Sequence, residues 1–142
     1  HEKAEIKDEI RKYTKASVYF SIIKYSDVIF GQSEMPLKNL HGTNVTLITG
    51  IAKPEPLIKY LEERFINFKH IKYADHHNFT SSEVKELDKL ECILTTEKDY
   101  VRLKPLLKAA KIYYLPIKIG FLDQKIEFNN QILDYVNETI KA

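Results

Sequence analysis

The sequence predicts an α/β protein, a small three-layer α/β/α sandwich on a mainly parallel sheet of about four strands, preceded by a helix and a two-stranded β hairpin. Three observations predict it. From His41 onward, short apolar runs alternate with amphipathic stretches. The connections between them are short, which calls for parallel pairing, right-handed crossovers and helices on the sheet faces. The composition is that of a folded domain, with 44% hydrophobic and 30% charged residues in 142 and only 4 Gly and 5 Pro.

Residues 1–40 read as an appendage and 41–142 as the α/β/α domain. Glu2 to Lys15 is a helix, because Ile6, Ile10 and Tyr13 recur at helical spacing among charged residues. Ala16 to Ile23 and Val28 to Phe30 are β-branched and aromatic runs flanking a polar stretch, the pattern of a hairpin over Ser17–Gly31. A lone hairpin is marginal in water and must pack on something else. Val45 to Thr49 is a strand ended by Gly50. Pro54 to Phe68 is a helix with Leu57, Ile58, Leu61, Phe65 and Phe68 on one face. His70 to Ala74 is a second strand, and Thr80 to Glu83 a capping box opening a helix with Val84, Leu87 and Leu90 inward. Cys92 to Thr95 is a third strand, followed by a helix from about Asp99 that Pro105 bends or restarts. Lys111 to Ile119 holds a fourth strand. Asn129 to Lys141 is a last helix with Ile132, Leu133, Val136 and Ile140 inward.

Composition excludes several classes. The apolar content excludes disorder, and no apolar run approaches the ~18 residues of a membrane span. With 22 Lys+Arg against 20 Asp+Glu, a net charge of +2 and a pI of 8.5, a nucleic-acid partner is not expected. The stretch HEKAEIKDEIRK is charged throughout, so a signal peptide is not expected in it. The single cysteine, Cys92, excludes a disulfide framework, starts an apolar strand and reads as core. The cytoplasm is the expected compartment.

In an open parallel sheet, ligands bind beyond the carboxyl ends of the strands. Three places there hold polar residues that packing does not require. Gly50-Ile51-Ala52-Lys53-Pro54 is a strand-to-helix turn, either a plain βα connection or amides presented to an anion. Asp75-His76-His77 puts a carboxylate beside an imidazole, which can fix a tautomer or tune a base, ligate a metal, or simply finish a strand. Thr95-Thr96-Glu97-Lys98-Asp99 reads as a Thr cap with acidic first-turn residues, or as a brace for a phosphate or a partner domain. Neither G-x-x-x-x-G-K-[ST] nor G-x-G-x-x-G occurs, so the chain has no nucleotide-phosphate cradle of its own.

Taken in order, five strings resemble the C-terminal part of the tetraacyldisaccharide 4'-kinases, the lipid A 4'-kinases of Gram-negative bacteria. They are L-H-G-T-N-V from Leu40, L-I-T-G-I-A-K-P-E-P from Leu47, A-D-H-H-N-F from Ala74, L-T-T-E-K-D from Leu94 and Y-Y-L-P-I from Tyr113. Y-F-S-I-I-K-Y from Tyr19 is similar to the piece just before that domain. The resemblance implies a kinase that moves the γ-phosphate of ATP, with Mg²⁺, to the 4'-hydroxyl of a tetraacylated disaccharide 1-phosphate, giving lipid IVA. It implies two α/β/α lobes joined by a two-stranded β connection, which the Ser17–Gly31 segment would supply, and attachment to the cytoplasmic face of the inner membrane. By the same resemblance, the P-loop, the Mg²⁺-binding acids, the catalytic base and the membrane helix would belong to an N-terminal lobe that these 142 residues are not expected to include. The chain alone would therefore be a soluble, inactive C-terminal piece with no bound cofactor.

Carried over residue by residue, His76 and Asp75 match the family's Asp-His element, with the His reaching the cleft near the acidic residue that activates the sugar hydroxyl. Thr96, Glu97, Lys98 and Asp99 match its Thr-Glu-Lys-Asp element and, with Gly50, shape the cleft or the lobe contact. Tyr100 follows where a smaller residue is expected. Two readings stand against this one. Asp75, His76 and His77 could form the metal cluster of a phosphoesterase, although no D-x-D supplies further carboxylates. The chain could also be a non-catalytic domain that binds lipid or a partner.

Overall fold

A computed structural model describes residues 2–140 of the chain. In order, the elements are α1 (Glu2–Arg11), β1 (Ser21–Tyr25), β2 (Val28–Phe30), β3 (Glu34–Pro36), a short 3-10 helix (Leu37–Leu40), β4 (Val45–Thr49), α2 (Glu55–Glu62) and β5 (Phe68–Lys72). There follow α3 (Ser81–Leu87), β6 (Cys92–Thr96), α4 (Glu97–Leu103), β7 (Lys111–Leu115), β8 (Ile117–Phe121) and α5 (Lys125–Ile140). They group into two compact units, Tyr25–Lys118 and a second made of the residues up to Lys24 with those from Ile119 onward.

The larger unit is built on a six-stranded sheet in the order β3-β2-β7-β6-β4-β5. Pairing is parallel from β7 through β6 and β4 to β5, with Leu47 opposite Leu94 and His70, and antiparallel where β2 meets β7 and β3. The alternation of the strand residues explains the layers. Val45 and Leu47 of β4, with Leu94 of β6 and Leu115 of β7, point to one face and pack with Leu57 and Leu61 of α2 and with Leu37 and Leu40. Ile48, Ile93 and Ile112 point to the other face, under Leu87 of α3 and Leu103 of α4. Helices thus cover both faces, as a buried parallel sheet requires. Both edges are blunted, β3 by its three-residue length and Pro36, β5 by Lys69 and Lys72.

Two connections show how local chemistry sets boundaries. The helix read through Phe68 stops earlier. The amide of Ile66 bonds the Leu61 carbonyl (3.1 Å) and that of Phe65 bonds Glu62 (2.9 Å), a Schellman ending with Phe65 left-handed at φ 56°. Ile66 is buried beside Leu61, while Phe65 is 84% exposed and Phe68 begins β5. The Phe pair is therefore not on the inner face of α2. Asp88, just past α3, accepts the amides of Lys108, Ala109 and Ala110 at 2.8, 2.8 and 3.0 Å. Those bonds, Ala110 foremost, hold its carboxyl below the ordinary carboxylate range.

The α/β class with a mainly parallel sheet is observed, and four details differ. The sheet of the larger unit has six strands, because β2 and β3 extend the four expected ones. Ser17–Gly31 is not a hairpin, since β1 pairs with β8 in a separate two-stranded sheet while β2 enters the large one. The polar residues between them do not reverse the chain onto itself. The Ser26 amide bonds the Pro116 carbonyl (3.1 Å), and Asp27 accepts the Leu37 amide (2.8 Å). The break expected at residue 41 falls inside the larger unit for the same reason. Finally, α5 starts at Lys125 rather than Asn129 and buries none of its residues. Ile132, Leu133 and Val136 are among its exposed apolar side chains, and its expected end at Lys141 lies outside the described residues. In the smaller unit, Phe128 of α5 meets the rings of Tyr19 and Phe121, and Tyr19 Oη donates to Gln131 Oε1 (2.8 Å).

Asp88 generates a prediction. Its carboxyl is held down in the folded chain, so its contribution is present above the ordinary value of about 4 and is lost as pH falls through the folded value. The variant Asp88→Asn keeps an acceptor without the charge. It is expected to be less stable at pH 7 and to show a flatter decline of thermal midpoint on acidification, measured by circular dichroism.

Candidate active site

The carboxyl ends of β5, β4 and β6 lie side by side, which brings Asp75-His76-His77, Gly50 and Thr96–Asp99 to one edge of the sheet. At its centre is Asp99, only 1% exposed. Its Oδ2 accepts the Gly50 amide (2.8 Å) and the Thr96 hydroxyl (2.8 Å), and its own amide donates back to Thr96 Oγ1 (3.2 Å). Thr96 is thus the N-cap of α4, the local role its sequence suggests. Asp99 does more, reaching across from the first turn of α4 to the end of β4. Its Oδ1 has no donor among the described residues and packs against Gly50, where a Cβ would lie 2.9 Å from it and 3.4 Å from the Ala74 carbonyl. This is why Gly50 is glycine. The Gly50 amide is spent on a carboxyl group, so the turn does not offer it to an anion.

The Asp-His-His segment forms a tight turn in which the His77 amide bonds the Ala74 carbonyl (3.1 Å) and His76 is left-handed at φ 57°. Histidine enters that region more readily than most side chains, at a cost of about 1–2 kcal/mol. The neighbours offset this cost. The ring of His77 stacks on Tyr73 (4.6 Å), meets Phe79 edge-on (5.1 Å), and its Nε2 lies 3.0 and 3.1 Å from the two carboxylate oxygens of Glu83. Arg102 of α4 donates to the His77 carbonyl. Glu83 also closes the capping box of α3, accepting the Thr80 amide (2.7 Å), and this bond leads the causes that lower its pKa.

His76 is therefore held by its backbone, and its side chain is 78% exposed. Asp75 Oδ1 accepts the His76 amide (3.1 Å) and the Lys98 ammonium; the Lys98 bond, first among several causes, lowers the carboxyl's pKa. Asp75 Oδ2 lies 3.7 Å from His76 Nε2, beyond hydrogen-bond range. The expected side-chain pairing of Asp75 with its neighbouring imidazole is replaced by a carboxylate-to-backbone bond. The imidazole–carboxylate pair of this edge is His77–Glu83, six residues apart. Sequence reading missed it, although a His three residues before the N-cap of a capping box was the available signal. Glu97, in the first turn of α4, is on the same edge and is exposed.

The metal-cluster alternative finds no support in this donor set. The His77 ring turns to Glu83, and among the described residues no group of three His, Cys, Asp or Glu side chains is placed to hold an ion. Likewise, among the described residues no helix is long and apolar enough to cross a membrane.

A parallel sheet flanked by helices, with polar turns gathered at its carboxyl edge, is the plan of α/β enzymes that act on ligands held at that edge. The chain belongs to the tetraacyldisaccharide-1-P 4'-kinase family, whose model matches residues 1–137. It is 32% identical over 142 residues to a tetraacyldisaccharide 4'-kinase of Flavobacterium johnsoniae and 34% over 141 residues to one of Flavobacterium psychrophilum. These alignments take in 97% and 95% of this chain but 41% and 40% of the relatives, so the chain spans about two fifths of their length. A crystal structure of LpxK from Aquifex aeolicus in complex with ATP shares the fold, with a TM-score of 0.59 and 18% identity over 86% of this chain and 37% of that one.

The variant Gly50→Ala tests the close approach. A methyl group 2.9 Å from a buried carboxyl oxygen forces Asp99 or the turn to move, and a loss of roughly 1–3 kcal/mol is expected from such overpacking. Urea unfolding of the 142-residue chain measures it.

Proposed function

We propose that this chain is the C-terminal lobe of an enzyme that phosphorylates the 4'-hydroxyl of a tetraacyldisaccharide 1-phosphate, giving lipid IVA. Family membership supports the class of reaction, and the relatives' greater length leaves room for a second lobe. The observation that carries the assignment to residues is the turn at Ala74–His77. It seals one histidine into the fold and thrusts the other outward at the carboxyl edge. Moving a phosphoryl group to an alcohol requires the hydroxyl proton to leave, and a positioned imidazole can accept or share it.

In this reading His76 reaches into the cleft that closes against the missing lobe, beside the acidic group that activates the sugar hydroxyl. Asp75 holds the His76 backbone in its outward turn. Gly50, Thr96, Glu97, Lys98 and Asp99 shape the cleft or its contact with the other lobe. ATP and Mg²⁺ do not fit this chain's own residues, because the Gly50 amide faces a carboxyl group and no glycine-rich cradle exists. The groups that hold them belong to the other lobe. Attachment to the cytoplasmic face of the inner membrane, where the lipid substrate resides, is part of the same proposal.

The test is a 4'-kinase assay with ATP, Mg²⁺ and the lipid disaccharide, comparing the 142-residue chain with a longer chain that carries this sequence behind the second lobe. Activity is expected in the long form alone. In that form His76→Ala is expected to lower turnover by about 10²–10⁴-fold, the range of a lost acid–base group, with an unchanged thermal midpoint. A folded His76→Ala variant with full turnover removes His76 from the chemistry.

A further inference from the structure

We infer that Lys98 is a positioning residue for His76, acting through Asp75, and that this is the work of the lysine in the Thr-Glu-Lys-Asp segment. The inference rests on the reading of His76 as the group that meets the substrate, and it assigns a specific task to a neighbour that reading places only at the cleft or lobe contact. The Asp75 carboxylate has two partners within reach. Its Oδ1 caps the His76 amide at 3.1 Å, and its Oδ2 stands 3.7 Å from His76 Nε2. A modest rotation would trade the backbone bond for one to the ring, drawing the imidazole down onto Asp75 and away from a substrate. The Lys98 ammonium, bonded to Oδ1, holds the carboxylate in the first arrangement.

Lys98 can do this because its own origin is fixed. It is the second residue of α4, and the start of that helix is tied to β4 and β6 through Thr96, Asp99 and Gly50. Arg102, one turn on from Lys98 along α4, holds the His77 carbonyl on the far side of the same turn. Helix α4 therefore grips the Asp-His-His turn at two points, one on each side of His76. The ion pair itself is half-exposed, with side-chain exposures of 40% and 48%. Such pairs add little to stability, so a structural role alone gives Lys98 almost no effect. Its charge also offsets that of Asp75 at an edge proposed to receive a phosphorylated lipid, where an uncompensated carboxylate would repel the ligand.

Two measurements test the inference. The first is an amide spectrum of the ¹⁵N-labelled 142-residue chain as wild type, Lys98→Ala and Lys98→Arg. Lys98→Ala is expected to shift the His76 amide resonance and speed its hydrogen exchange while leaving those of Gly50 and Asp99 in place, and Lys98→Arg to restore it. A His76 amide indifferent to Lys98→Ala overturns the inference. The second is turnover in the two-lobed enzyme. Lys98→Ala is expected to lower kcat about 10–100-fold, the cost of a misplaced group, with KM little changed and rescue by Lys98→Arg. In a His76→Ala background the same substitution is expected to cost nothing more. An undiminished additional loss there means that Lys98 acts on ATP or substrate itself and overturns the inference. If His76→Ala alone retains full turnover, the functional reading of His76 fails and the catalytic part of the inference with it. The amide spectrum, which needs no activity, separates that outcome from a failure of the Lys98–Asp75 link.

Discussion

A carboxyl group almost wholly removed from solvent must find donors, and the way Asp99 finds them organises this edge of the molecule. It takes the Gly50 amide from the end of β4 and the Thr96 hydroxyl from the end of β6. Leaving such a group unpaired in the interior would cost about 1–3 kcal/mol or more, so the ends of two neighbouring strands and the first turn of a helix are bound to move as one. The small volume of Gly50 follows from this contact, as does the direction in which α4 leaves the sheet. Everything α4 then carries, including Lys98 and Arg102, inherits a fixed origin.

The two histidines show how one turn can separate anchoring from exposure. His77 gives up its freedom to Tyr73, Phe79 and Glu83, and this leaves the backbone at His76 little choice but to remain left-handed. The carboxylates nearby, Asp75 and Glu83, are both held below their ordinary range by donors already in contact with them. Each stays ionised and engaged well into mild acid. The edge thus presents an exposed imidazole beside charges that are already engaged rather than competing for it.

Much of the fold was legible because it depends on short-range chemistry. Val45–Thr49 is a run of apolar and β-branched residues that a glycine ends, and Thr80–Glu83 closes its own capping box; both stand where the sequence places them. What escaped was decided at long range. Nothing in Val28–Phe30 says that its partner is Tyr114 rather than the strand just before it, and nothing in Phe65 announces that a left-handed helix end will turn it to solvent. The candidate edge was legible through topology, since three polar turns follow three parallel strands. The partners within it were not. Asp99 reads as an ordinary first-turn acid until the fold brings Gly50 to it, and Asp75 beside His76 invites a ring contact that the backbone claims instead.

The position of β2 in the sheet bears on how the chain assembles as it is made. Phe30 pairs with Tyr114, so β2 and β3 leave the ribosome about eighty residues before the strand that joins them to the sheet. Two short strands alone are marginal in water. Until β7 is synthesised, the backbone groups of β2 that it will satisfy lie open, on a segment whose Ile29 ends wholly buried. The parallel strands between them pair over shorter separations, yet each still needs a crossover before its partner arrives, a slow kind of topology. Nascent chains therefore pass through a stage in which an apolar edge waits for a late partner, a stage more open to wrong association than the finished fold.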